Sequence, residues 1–253
     1  MFVSQKEIDL LAREKYSGHK TSAFEVDLKR LETGEPLDYV IGWREFLGLK
    51  IDLSFRPLIP REETEFWTKE VLSVINQRTA ELGRPLVVLD LFAGSGCIGL
   101  AVLKYCPRTK VVLADVDPNS LTQIRKNLRI NNLTKLAKVS SSNIFSGLAN
   151  QQFDFILANP PYISKRGRGS LLQTTVKNYE PAKALWAGSD GLKIIKPFLK
   201  QARKYLKPNG EIYLEFGFGQ KTALRKLLRT NNYSNFSFKL DQFKRWRWLV
   251  IKT

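Results

Sequence analysis

Asn159-Pro160-Pro161-Tyr162 combine, in four consecutive residues, the groups needed to hold a planar –NH2 group. The prolines give up their backbone donors and keep their carbonyls as acceptors. Asn159 adds a side-chain carbonyl and amide, and Tyr162 adds a flat apolar face with a polar tip. Acceptors for both hydrogens and a ring against the plane make an amine grip. The same tetrapeptide also reads as a plain exit from a strand into a turn.

A second cluster lies upstream. Val87-Val88-Leu89-Asp90 runs into Leu91-Phe92-Ala93-Gly94-Ser95-Gly96, a strand, a glycine turn and the start of a helix. Such a turn aims free backbone N–H groups at a ligand, and Gly94 and Gly96 keep Cβ atoms out of its way. Gly94–Gly99 matches G-x-G-x-x-G, a weak signal alone. Asp115 closes the next strand, where a carboxylate can accept from two ribose hydroxyls. Asp117-Pro118 reads as a helix N-terminus.

Two cofactors carry that ribose, NAD and S-adenosylmethionine. Asp90 ends the glycine-loop strand, where it repels a pyrophosphate and suits a cationic methionyl group, directly or through water. Asn159–Tyr162 ends a later strand, and an open α/β sheet collects its ligands at one edge. The amine grip is therefore expected beside a sulfonium methyl.

The elements that must position these groups follow from the apolar pattern. Helices are expected over 5–16 and 22–33, two short pieces too small for a core of their own. Residues 38–58 suggest an aromatic hairpin. Pro60 and the acids Glu62, Glu63 and Glu65 open a helix running to about Leu82. Strands follow at 86–89, 110–113, 137–140, 153–158 and 210–215, with helices at 94–105, 119–131, 191–206 and 220–229. This alternation implies a mostly parallel α/β sheet with helices on both faces. Strands near 235–240 and 246–251 imply an antiparallel C-terminal hairpin at the sheet edge. The expected division is a helical segment over 1–37, a hairpin linker over 38–60 and a main domain over 61–253.

Composition narrows the class. There are 41 Lys+Arg against 24 Asp+Glu, a formal charge of +17, spread along the chain without a long basic block. That favours an anionic partner such as nucleic acid or a nucleic-acid-bound protein; a solvated basic surface is the plainer reading. Two cysteines and one histidine suit neither a disulfide framework nor a zinc set, so no metal is expected. No apolar run is long enough for a membrane span. Glu7 and Asp9 argue against a leader peptide, and the cytoplasm is the expected compartment. The mitochondrial matrix fits a chain whose presequence was trimmed.

These residues, in this order, resemble the HemK/PrmC family of glutamine-N5 methyltransferases. Tyr39-Val40-Ile41-Gly42 with Phe46 and Gly48 is similar to that family's hairpin signature, and Ile59–Glu65 to its P-R-P-E-T-E segment. The 90–96 loop, Asp115 and Asn159–Tyr162 follow. Then come Tyr179-Glu180-Pro181 with Ala184-Leu185, Leu214–Gly217 with Gln220, and Asp241 with Arg247. The resemblance covers about residues 38–253. It implies a Rossmann-like class I fold and S-adenosylmethionine as cofactor. The substrate it implies is the glutamine of the GGQ motif in class I peptide release factors. It also implies that Asp90, Phe92, Ala93, Gly94, Gly96, Asp115, Asn143 and Asn159 hold the cofactor. Arg61, Glu180 and Asn159–Tyr162 then meet the substrate, with Asn159, Pro160 and Tyr162 as the catalytic set.

The chain departs from the family pattern in places. Phe92 stands where many members have Gly, so the first turn of the loop is expected to differ slightly or to use a non-Gly conformation. Asn143 stands where many have Asp; either accepts from an adenine amino group, but Asn lacks the charge. The helical part over 1–37 is short. Rival readings are an adenine-N6 or guanine-N2 nucleic-acid methyltransferase, a ribosomal-protein glutamine methyltransferase, a cofactor-binding module without turnover, and an NAD oxidoreductase.

Overall fold

The computed structural model describes residues 3–165 and 174–253. Helix α1 (Gln5–Tyr16) opens on a capping box. Ser4 accepts from the Glu7 N–H, and Glu7 reaches back to the Ser4 N–H at 2.9 Å. Thr21 caps α2 (Ser22–Glu32). A third helix, α3 (Leu37–Ile41), then covers residues expected to begin the hairpin. Pro36 leads into it, Asp38 sits in its first turn and Gly42 ends it at φ 94°, so local capping outweighs the β-branched pattern. Leu11, Phe24, Leu31 and Val40 form a small core of their own. The expectation that the N-terminal helices lack a core is therefore corrected: α3 supplies the third wall.

The hairpin is β1 (Trp43–Phe46) and β2 (Leu49–Asp52), antiparallel. Its turn, Leu47-Gly48, has φ of 48° and 67°, as a tight two-residue hairpin requires. The strained Leu47 is held from two sides. Its N–H donates to Glu65 at 3.0 Å, and its carbonyl accepts from the Tyr105 hydroxyl at 2.7 Å. Helix α4 (Glu62–Leu82) follows, with Glu62, Glu63 and Glu65 in its first turn, where the helix dipole favours acids.

Strand–helix alternation then builds the sheet. In chain order come β3 (Leu86–Leu91), α5 (Cys97–Tyr105), β4 (Thr109–Asp115), α6 (Pro118–Ile130), β5 (Ala137–Ser141) and β6 (Phe153–Ala158). After them come α7 (Thr174–Tyr179), α8 (Ala182–Leu185), α9 (Ile195–Ala202), β7 (Leu206–Glu215), α10 (Lys221–Thr230), β8 (Phe236–Leu240) and β9 (Trp246–Lys252). The strand order is β5-β4-β3-β6-β7-β9-β8. The first five are parallel, and β9 runs antiparallel between β7 and β8. This is the Rossmann-like class I methyltransferase fold. Helices α7 and α8 fall where no element was expected, and β7 starts four residues before the expected strand. The basic, glycine-rich stretch Ser164–Ser170, which from sequence reads either as a flap that meets a partner or RNA or as a solvated loop, lies outside the described residues from 166 on.

Alternate strand positions serve two cores. Val88, Phe155, Leu157 and Tyr213 pack with Trp67, Val71 and Ile75 of α4 and with α5 and α6. Leu89, Leu91, Ile156 and Ile212 pack with Ile195 and Phe198 of α9 and Leu224 and Leu228 of α10. Among the described residues, no helix is long and apolar enough to cross a membrane.

Candidate functional site

The strand order reverses between β3 and β6. From β3 the chain moves outward through β4 and β5, then returns to β6 on the other side. Leu91 and Ala158, the last residues of the two strands, are register partners. The loops that follow, 92–96 and 159–162, diverge from that point and open a crevice between them.

On one side stands the glycine loop. Phe92 takes φ 65°, so it keeps the left-handed conformation that Gly favours rather than the non-Gly one expected. Its ring packs against Phe198, 6.1 Å between centroids, which anchors the strained turn. Gly96 (φ 82°) has no room for a side chain, because a Cβ would lie 2.9 Å from the Leu100 side chain. At Gly99 a Cβ would lie 2.9 Å from Asp90 Oδ2. That space admits the Gly99 N–H, which donates to the same oxygen at 2.8 Å.

Asp90 is fully buried, and its other oxygen, Oδ1, has no partner. Burial pushes its pKa up to about 7 against the Gly99 hydrogen bond, and the Asp115 charge adds to the rise. Asp115 accepts from the Gly94 N–H and the Asp117 N–H, both at 2.8 Å. Each of its oxygens keeps a second lone pair. Burial raises its pKa as well. A cavity of about 110 Å³ lies over this loop, lined by Ala93, Gly94, Asp115 and Asn159. Its opposite wall is the chain leaving the hairpin, from Phe55 to Arg61. The hairpin strands themselves line neither cavity of the site, so their role is to hold that wall. The cavity lining fits a ligand carrying a ribose, with spare lone pairs on Asp115 and a loop open at Gly94; the orphaned Asp90 carboxyl lies buried outside that lining.

On the other side stands the motif. Asn159 Nδ2 donates to Thr64 Oγ1 at 3.2 Å, and the Thr64 hydroxyl donates to Glu215 at 2.7 Å. Trp67 Nε1 donates to the same Glu215 oxygen at 2.7 Å, and the Tyr162 hydroxyl to the other at 3.0 Å. Glu215 is 1% exposed. Burial raises its pKa, opposed by these three donors and the Arg247 charge. Burial and the Glu215 charge drive the Tyr162 phenol far above its ordinary range, so it keeps its proton. Gln220 donates to the Tyr162 carbonyl at 3.1 Å and fixes the motif's far end. Asp241 accepts from Arg247 at 3.1 Å.

A second cavity, about 820 Å³, is lined by Pro160, Tyr162, Glu215, Phe218 and Arg247. The two cavities share Leu58, Arg61, Asn159 and Ala184. Asn159 thus stands at their neck, with Pro161 facing the first cavity and Pro160 the second.

Four expected residues line neither cavity: Asp90 and Gly96, both buried, and Glu180 and Asn143. Glu180 pairs with Arg61 and accepts from the Ile59 N–H at 3.3 Å, clamping the wall segment to α8. Asn143 is exposed; its N–H donates to the Ser146 hydroxyl at 3.2 Å. Conversely, Thr64 lines the first cavity, and Trp67, packed in the core, reaches the site only through its hydrogen bond to Glu215. Lys183 reaches Asp117 at 2.7 Å, across the rim of the first cavity.

Known proteins resemble this chain over most of its length. A family model described as a methyltransferase small domain matches residues 68–182. A bifunctional methyltransferase of Rickettsia prowazekii is 33% identical over 92% of the chain, which spans only 46% of that protein. The chain thus covers about half the length of such relatives. A release factor glutamine methyltransferase of Borreliella burgdorferi is 34% identical, over 88% of this chain and 75% of that one. Another, from Francisella tularensis, is 35% identical over 84% and 72%. Among solved structures, the human METTL16 catalytic domain bound to an RNA hairpin shares the fold. Its TM-score is 0.63 at 16% identity, covering 98% of this chain and 91% of that one.

Proposed function

We propose that this chain, which belongs to the release factor glutamine methyltransferase family, methylates the side-chain amide nitrogen of the glutamine in the GGQ motif of class I peptide release factors. Its methyl donor is S-adenosylmethionine. The observation that carries the reading is the position of Asn159 at the neck between the two cavities, with its amide donor already engaged by Thr64.

When bound, S-adenosylmethionine supplies an electrophilic methyl group. Asp115 would hold its ribose hydroxyls, and the buried Asp90 carboxylate would compensate its positive charge from outside the cavity lining. The glycine loop brings backbone N–H groups to it without Cβ obstruction.

The glutamine enters the second cavity. Its amide nitrogen is a weak nucleophile because the lone pair is delocalised. Asn159 Oδ1 and the Pro160 carbonyl accept its two hydrogens, which favours positive charge developing on nitrogen and aims the lone pair across the neck. Tyr162, locked by Glu215 and Gln220, supplies the flat wall that excludes water. Glu215 does not serve as a base, because three donors occupy it and Thr64 separates it from Asn159. The proton leaves after methyl transfer, when the charged nitrogen is acidic enough to lose it to solvent.

Methyl transfer from labelled S-adenosylmethionine tests the reading, with a purified class I release factor and total RNA plus DNA offered in parallel. Label on the GGQ glutamine is the expected result. Label on nucleic acid alone would replace the substrate and keep the cofactor site and the amine grip.

A further inference from the structure

The positive charge, without a long basic block, is nevertheless concentrated toward the C-terminal end of the chain. Residues 191–253 hold fifteen Lys or Arg against three acids, a net of +12 out of +17. All three acids are inside: Glu211 and Glu215 are 1% exposed and Asp241 4%. Each is engaged there, by Arg78, by Thr64, Trp67 and Tyr162, and by Arg247 respectively. No acid of this segment therefore reaches the surface to neutralise its cations.

Helices α9 and α10 cover the same face of the sheet, and β8 is the edge strand beside it. Arg225, Arg229, Lys239 and Lys244 are exposed on α10, on β8 and in the turn after it. Aromatic rings are interleaved with the cations. Lys221 lies over Trp246 and, at 5.7 Å, over Phe238; Arg225 lies 5.8 Å from Phe238, and Arg245 5.9 Å from Phe243. Phe243 is 50% exposed and Trp246 36%. The strip ends at the second cavity, which Arg245 and Phe218 line.

From this strip we infer a binding surface for single-stranded RNA, with phosphates on the α10 and β8 cations and bases on Phe243 and Trp246. Cations without surface acids give the salt-dependent attraction to a phosphate backbone. Exposed rings set among them give stacking platforms for unpaired bases. An acidic protein satisfies the charges and leaves the rings unused, and a duplex keeps its bases out of their reach. The inference does not depend on the methyl-transfer reading.

Fluorescence anisotropy of the full chain with a labelled single-stranded RNA of roughly 16 nucleotides tests it. Binding is expected to weaken linearly with salt on a log–log scale. The triple variant Arg225→Glu, Arg229→Glu, Lys239→Glu, whose positions are all exposed, should bind at least about tenfold more weakly, with a salt slope shallower by about 2. Phe243→Ala should lose about fivefold or more with its slope unchanged. Parent-like binding by the triple variant, with thermal unfolding showing it folded, would overturn the inference. So would displacement of the RNA by polyglutamate of equal charge as readily as by unlabelled RNA. Equal affinity for an RNA duplex would remove the single-strand assignment.

Discussion

The Asn159 side-chain amide donates to the Thr64 hydroxyl at 3.2 Å, and that bond decides which end of Asn159 is left for a ligand. Thr64 spends its own proton on Glu215 at 2.7 Å, so toward Asn159 it can only accept. The nitrogen of Asn159 must therefore face Thr64, and Oδ1 remains as an acceptor at the neck. Glu215, buried and unable to turn, sets the direction of the whole relay.

Thr64→Val keeps the shape and removes the relay. Asn159 then loses the partner that orients it, and a lost hydrogen bond among buried groups costs about 1–3 kcal/mol. Turnover should fall by roughly 10- to 100-fold, with cofactor affinity nearly unchanged by calorimetry. Thr64→Ser should recover most of the loss. A Val variant with parent turnover would show that Asn159 needs no orienting partner.

Asp90 gives a pH dependence with a definite sign. Burial holds its carboxyl at about 7 in the folded chain, against 3.8 when unperturbed. The unfolded chain therefore releases this proton first, and the folded chain is penalised as pH rises between those values. Asp90→Asn removes that penalty. The melting temperature of the variant relative to the parent should climb from about pH 4 to about pH 7 and then level off. A cationic ligand in the first cavity, behind which Asp90 is buried, favours the carboxylate. Cofactor binding should therefore tighten between about pH 6 and pH 8 in the parent and less so in the variant. The same pH dependence in both proteins would separate Asp90 from the ligand's charge.

Phe92 reverses a usual order of substitution. Its backbone is left-handed, φ 65°, which costs a residue with a Cβ about 1–2 kcal/mol. Phe92→Gly loses the ring contact with Phe198 and sheds that strain; Phe92→Ala loses the ring and keeps the strain. Urea unfolding should rank the parent first, with Gly more stable than Ala by about 1 kcal/mol. An Ala variant more stable than Gly would mean that the turn relaxes out of the left-handed region.

The sequence carried the sheet and both loops because the relevant signals are local. Apolar runs at 86–89 and 153–158 mark buried strands, glycines mark the turn after the first, and prolines mark the exit from the second. What stayed hidden depends on distant contacts. Thr64, Asn159 and Glu215 meet across separations of 95 and 151 residues, and nothing at position 64 distinguishes a relay hydroxyl from an ordinary helix-start threonine. Glu180 carries a motif signal but not its role, since its partners Arg61 and Ile59 lie about 120 residues away. The short α3 was missed because Tyr39-Val40-Ile41 has strand-like side chains, and the caps at Pro36 and Gly42 decided otherwise. Residues 191–253 carry most of the charge already in sequence, and what the sequence does not show is that their three acids are buried, leaving the cations alone at the surface.

The most direct test of the site is single-turnover methyl transfer by Asn159→Ala on a class I release factor, with S-adenosylmethionine affinity measured alongside. Removing an acceptor used in the transition state costs about 2.7–4 kcal/mol, so the rate should fall at least about a hundredfold while the cofactor binds almost as before. A variant that transfers methyl groups near the parent rate would contradict the amine grip.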